Sequence, residues 1–454
     1  MTQTAATTPS KGYRAYVLLI LTLIYTSNFI DRGILGVLAQ PIKAELGLAD
    51  WQIGVLSGLA FAILYSTLGL PVARLAERTN RVTLMAVAVT VWSGMTAACA
   101  LAGNFWHLLA ARVGVGIGEA GCAPPTSSLL ADYFPPRRRS TVVGLLSLGI
   151  PVGTIAGALI GTSVAQHYGW RAAFLVVGLP GVALALLFKL TVREPVRGAF
   201  DADGADHAAP SVKEVAKMLW AKPTFVHLAV GSAIASFASY GVSTFAIPFL
   251  VRGYELTLSQ AGAAFALIFG LAAAIGIASG GALVDWAGKR DLRVYVLIPA
   301  ASFFVAAPLF MLAFLQTSLS LLAAFIFVPL ILQFLYTGPM SGLTQNMVGA
   351  RARATTSAIL TLVINLIGLG LGPALTGWAS DLYAAAAYTG AGDFASACPG
   401  GMAPAGAAAE AAAACASAAF TGLQRALVTI SVVVIWAGVH FLLAARTVRD
   451  DVTI

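Results

Sequence analysis

Apolar residues occur along this chain in long uninterrupted runs, and charged residues collect in the short segments between them. A helix that crosses a bilayer needs about 20 consecutive apolar residues. Twelve runs reach that length: residues 16–39, 52–73, 82–103, 105–130, 140–165, 171–190, 224–250, 259–283, 294–315, 318–346, 354–380 and 422–444. The first is too long and too interrupted by polar groups for a cleaved signal. Two polar segments interrupt the pattern. Residues 191–223 contain "REPVRGAFDADGADHAAPSVKEV", which predicts a linker with a short amphipathic helix near 211–220. Residues 381–421, rich in Ala and Gly, predict an outer loop between the last two helices.

Composition agrees with a chain solvated mainly by lipid. Only 10% of the 454 residues are charged and 59% are apolar, whereas soluble domains carry about 25% charged residues. The charges also orient the chain, because cytoplasmic loops collect Lys and Arg. With the N-terminus inside, the inner segments hold 21 of the 27 basic residues and the outer ones four: Lys43, Arg171, Arg252 and Arg425. The other two, Arg32 and Arg112, fall inside helices. Both termini are therefore expected in the cytoplasm of a cell whose inner membrane the chain crosses many times. The net charge of +8 then reflects topology and anionic headgroups, and no nucleic-acid partner is expected. Cys398 and Cys415 share the outer loop, and their spacing alone leaves open whether they pair.

The midpoint linker divides the chain into residues 1–190 and 224–454, and the two parts repeat one pattern. A shift of 208 residues places Gln52 on Gln260, Gly54 on Gly262, Phe61 on Phe269 and Glu77 on Asp285, and Phe29 and Gly33 on Phe237 and Gly241. A shift of 213 places "LLAAR" at 108–112 on "LLAAF" at 321–325. The expected fold is all-α, with two six-helix bundles related by a pseudo-two-fold axis. The stretch "GGALVDWAGKR" resembles the loop after the eighth helix of the major facilitator superfamily, and "ARLAERTNR" resembles a degenerate copy after the second. Within that superfamily, "NFIDRG", "GVGIGEAG", "LLADYFPPRRRS" and "GIPVGTIAG" make the first half similar to the Spinster family. That resemblance implies secondary transport of a lipid-like solute such as sphingosine 1-phosphate or a lysophospholipid.

Four charges break the apolar pattern. Asp31 and Arg32 lie in the first helix, Arg112 and Glu119 in the fourth, and the repeat puts Ser239, Tyr240, Phe325 and Leu332 at the matching positions. Packing of this fold therefore does not require them. An ionised side chain at the bilayer centre costs ~2.5–3.5 kcal/mol on insertion scales. Arg112 and Glu119 stand seven residues apart, on one helical stripe. The expectation is a central chamber in which Asp31 and Glu119 exchange protons, Arg32 and Arg112 bind an anionic headgroup through paired hydrogen bonds, and Tyr240 and Phe325 offer an apolar surface. Protonating an acid would free an arginine for substrate. The alternative is that Asp31–Arg32 and Arg112–Glu119 are pairs that brace the two helices.

Alternating access also needs contacts that form in one state and break in another. Glu77, Arg78, Arg81 and Asp132 are gate candidates in the first half, and Asp285, Lys289, Arg290, Arg351 and Arg353 in the second. By the family resemblance, the acid after the second helix caps the eleventh. Gly149, Gly153, Gly157 and Gly161 leave bare backbone on one face for a neighbouring helix. No zinc spacing, phosphate loop or nucleophile elbow occurs, and "GVGIGEAG" follows no strand, so it does not read as a dinucleotide site. No enzyme, metal or cofactor is expected. The expected solute is an anionic lysolipid or amphipathic organic anion, moved with protons by a monomer. The runners-up are a proton-coupled carrier or drug exporter for a small organic anion, and a transporter-like sensor that binds without turnover.

Overall fold

The protein is described from a computed structural model covering residues 10–197, 211–288, 291–349 and 352–452, with no strand among them. The candidates Lys289, Arg290 and Arg351 lie outside the described residues, as does the side chain of Asp285. Ten helical stretches among the described residues are long and apolar enough to cross a membrane. By contact the chain forms two compact units. Residues 1–34 and 63–206 make the first, and residues 35–62 and 207–454 make the second.

In the first unit, Lys11–Val37, Arg81–Ala98, Phe105–Glu119, Ala123–Tyr133 and Gly149–Thr191 are the main helices. Trp92, Tyr133, Phe174 and Phe188 are fully buried among them. Leu19, Val87, Val91, Leu179 and Leu186 stay exposed, which suits a surface wetted by acyl chains rather than water. The run at 105–130, read as one helix, breaks after Glu119 and restarts at Ala123. Pro124 and Pro125 follow the break; proline fits the first helical turn and disfavours a helical conformation in the residue before it. Gly149–Thr191 is continuous except at Gly169, whose φ of 83° turns the chain.

The glycine face of this long helix meets the first helix. A Cβ on Gly153 would lie 2.5 Å from the Thr26 carbonyl oxygen and 2.8 Å from Phe29 Cβ, and one on Gly157 would lie 3.3 Å from Ile30 Cα. Gly33 has nothing within 4 Å. Gly153→Ala is thus expected to destabilise by ~1–3 kcal/mol through overpacking. Gly33→Ala, at an open helical position, is expected to be neutral or stabilising. Melting temperatures of the two variants in detergent check this; equal values would show that the first helix gives way freely.

In the second unit, Pro223–Tyr254 and Val294–Phe314 both pack on Ala409–Ala444. Ser211 and Glu214 form a capping box at the start of the short amphipathic helix Val212–Trp220, which buries Val215 and Leu219. The connection between the last two helices is shorter than the apolar pattern predicts. Helix Gly372–Ala387 and helix Ala409–Ala444 occupy much of 381–421, because an alanine-rich segment favours helix even where its hydropathy is low. Cys398 and Cys415 are joined by a disulfide, within a cluster that includes Phe394, Ala384, Ala418 and Ala419.

Candidate functional site

All four unusual charges lie in the first unit. Asp31, Arg112 and Glu119 are fully buried, and the Arg32 side chain is 12% exposed. Several of their bonds run from one helix to the other. Arg32 reaches from the first helix to Glu119, with Nη2 and Nε donating to Oε2 at 2.8 and 3.2 Å. Its Nη2 also lies 3.4 Å from Asn28 Oδ1. Arg112 Nη1 donates to the backbone carbonyl of Asp31 at 3.1 Å. The Asp31 carboxylate accepts from the indole of Trp92 at 3.1 Å. The Arg32 guanidinium also sits 5.2 Å from the Phe29 ring centre and 4.8 Å from that of Tyr65.

The packing explains why these groups meet. A Cβ on Gly118 would lie 2.6 Å from the Trp92 backbone nitrogen, so bare backbone there lets the helix that carries Glu119 close on the helix that carries Trp92. Glu119 ends its helix, where the macrodipole disfavours an anion. Arg32 offsets that charge. Glu119 Oε1 and Asp31 Oδ1 are buried and accept no hydrogen bond among the described residues. A carboxylate with one bare oxygen is incompletely compensated for lost hydration. The arrangement presents arginines whose present partners a competing anion could replace.

The gate candidates divide. Arg81 and Asp132 are brought together, with Nη1 and Oδ2 2.5 Å apart. Arg81 also donates to Ser128 Oγ at 2.7 Å and to Glu194 Oε1 at 2.6 Å. Glu194 was hidden in the polar linker. Its second oxygen accepts from the Val82 backbone at 3.1 Å, and Arg197 donates to the carbonyls of Ala76, Glu77 and Thr79 at 2.5–2.7 Å. The acid thus sits at the start of one helix and the base at the end of another, each complementing the dipole there. The alternating acid and base in "REPVR" was the available signal. Glu77 and Arg78 are exposed in the first unit, and Arg353 is exposed in the second. Tyr240 and Phe325 belong to the second unit and are half-buried there.

A family model described as Major Facilitator Superfamily matches residues 21–373. The chain is 34% identical over 366 residues to an "MFS-type efflux pump" of Mycolicibacterium smegmatis, spanning 80% of this chain and 83% of that protein. It is 27% identical over 391 residues to "Protein spinster homolog 1" of Mus musculus, spanning 82% and 74%. It is also similar to the crystal structure of a bacterial homolog to the human lysosomal transporter Spinster, inward-facing and unoccupied. That likeness has a TM-score of 0.90 and 35% identity, and covers 98% of this chain and 100% of the other.

Proposed function

Since this chain belongs to the major facilitator superfamily, as a Spinster-type transporter and not an enzyme, we propose that it moves an anionic amphipathic solute across the inner membrane in exchange or together with protons. Residues 105–133 count as one crossing and residues 141–191 as two, divided at Gly169, which gives twelve crossings with both termini in the cytoplasm. The observation that carries the reading is the buried Arg32–Glu119 pair beside Asp31 and Arg112. With both acids ionised, the four side chains are neutral in sum. One proton on Glu119 weakens its hold on Arg32 and leaves the group with a net positive charge. An anionic headgroup then takes the guanidinium through two parallel hydrogen bonds. Loss of the proton lets Glu119 reclaim Arg32 and release the anion. Whether protons and solute travel together or in opposite directions follows from which loaded state turns over.

A second reading, export of a small organic anion, is supported by the "efflux pump" name of the mycobacterial relative. Proteoliposome flux separates the two. Sphingosine 1-phosphate or lysophosphatidic acid is expected to move in a pH-dependent way, and to move faster than a short-chain carboxylate. Faster carboxylate flux would overturn the lipid assignment, and binding without flux of any of them would make the protein a sensor.

A further inference from the structure

A single tryptophan touches both the Asp31 carboxylate and the helix that carries Glu119. The indole N–H of Trp92 donates to Asp31 Oδ2 at 3.1 Å. Among the described residues this is the one hydrogen bond the carboxylate accepts, since Oδ1 accepts none. Trp92 and Asp31 are both fully buried. Thr96, one turn further along the same helix, stands near the carboxylate with its buried hydroxyl unbonded.

The helix of Trp92, Arg81–Ala98, is held from two sides by glycine. A Cβ on Gly118 would lie 2.6 Å from the Trp92 backbone nitrogen and 2.8 Å from its Cβ, so the residue before Glu119 rests on the tryptophan itself. From helix Gly149–Thr191, a Cβ on Gly178 would lie 2.6 Å from the Ala97 nitrogen, and one on Gly181 would strike Ser93. The indole thus reaches Asp31 from a backbone with no room to shift, and a side chain locked by its neighbours holds its geometry more closely than a loose one. The other titratable groups facing Asp31 are few. Arg112 donates to its backbone carbonyl, and Glu119 on the same helix as Arg112 adds a second negative charge. The neighbouring Arg32 is engaged by Glu119. The thiol of Cys99 lies just beyond the end of the Trp92 helix. Helix Gly149–Thr191 brings bare glycine backbone.

Packing alone does not call for tryptophan at this place. Helix Val294–Phe314, third in the second half as Arg81–Ala98 is in the first, contains none. That half also has Ser239 in place of Asp31. A buried indole needs a partner for its N–H, and it is a donor only. It can neither take up a proton nor accept a bond from a protonated acid. Such a donor favours the ionised carboxylate and opposes the negative charge of Glu119, which disfavours it.

We propose that Trp92 is the positioning residue of Asp31: it holds Oδ2, leaves Oδ1 as the oxygen open to a proton, and sets the pH at which that proton binds. The proposal rests on the proton-coupling reading above. Its test needs no solute, and its outcomes separate the two. The full-length protein in lipid nanodiscs is titrated by infrared difference spectroscopy. The carboxylic acid band that Asp31→Asn removes belongs to Asp31, and the midpoint of its titration is the readout. Trp92→Phe removes the N–H and is expected to move that midpoint up by about one pH unit, tenfold in proton affinity. Phenylalanine also leaves a gap, which lowers the melting temperature. Replacement of Trp92 by β-(3-benzothienyl)alanine keeps the shape of the indole and lacks the N–H. It is expected to restore the melting temperature and to keep the raised midpoint, and it carries the test should the phenylalanine variant not fold. A filler of space alone would recover both together, so a midpoint at or below the native value in the benzothienyl variant would overturn the positioning role. A native protein in which Asp31 shows no titrating band would instead overturn Asp31 as a coupling acid, and the role of Trp92 with it.

Discussion

In proteoliposomes held at zero membrane potential with a pH difference of one unit, Glu119→Gln is expected to abolish uphill accumulation of solute while leaving exchange of solute across the membrane. A one-unit pH difference is worth ~1.4 kcal/mol per proton, so a carrier that couples one proton can sustain about a tenfold gradient. Glutamine keeps the shape of the protonated acid and cannot titrate. It therefore holds the site in the state that has loosened Arg32, and the gradient no longer has a group through which to act. Accumulation should fall from about tenfold to none. Asp31→Asn is the companion measurement, because Asp31 is as deeply buried as Glu119 and also has one bare oxygen. If accumulation survives in Glu119→Gln and vanishes in Asp31→Asn, proton coupling belongs to Asp31. If it survives in both, neither acid couples protons.

That these four residues are set apart was legible because an ionised side chain within an apolar run is costly and conspicuous. Their partners were not. Asp31 and Arg32 are adjacent, and Arg112 and Glu119 share a helical stripe, so sequence distance favours pairs within each helix. The observed bond from Arg32 to Glu119 depends on how the two helices are rotated and spaced. That spacing is set by close contacts such as Gly118 against Trp92. The break after Glu119 was written in Pro124 and Pro125 but was masked by the apolar run around them. The early start of Ala409–Ala444 was missed because hydropathy, rather than the helix propensity of alanine, defined the run. Glu194, Lys43 and Arg252 looked like ordinary loop charges, yet the last two hold the buried Asp50 carboxylate. A basic residue that sets topology and one that holds a buried carboxylate have the same signature until the fold brings a partner to it.

Arg32→Ala separates structure from recognition. The substitution leaves Glu119 fully buried with its charge partner removed, and stranding one member of a buried pair costs ~3–5 kcal/mol. The melting temperature in detergent should therefore fall sharply. Arg32→Ala/Glu119→Gln removes the stranded charge and should recover most of that loss. Binding should not recover with it. Hydrogen bonds to a charged group contribute ~1.5–3 kcal/mol, and every 1.4 kcal/mol is about tenfold in affinity. The double variant is expected to bind lysophosphatidic acid about 10- to 100-fold more weakly than the native protein. Arg32→Lys should fall between, since a point charge replaces a planar fork while a cation remains near the Phe29 and Tyr65 rings. If the double variant is stable and binds the lipid as well as the native protein does, Arg32 serves only to neutralise Glu119. The headgroup site then passes to Arg112, whose replacement by Ala would have to produce the loss instead.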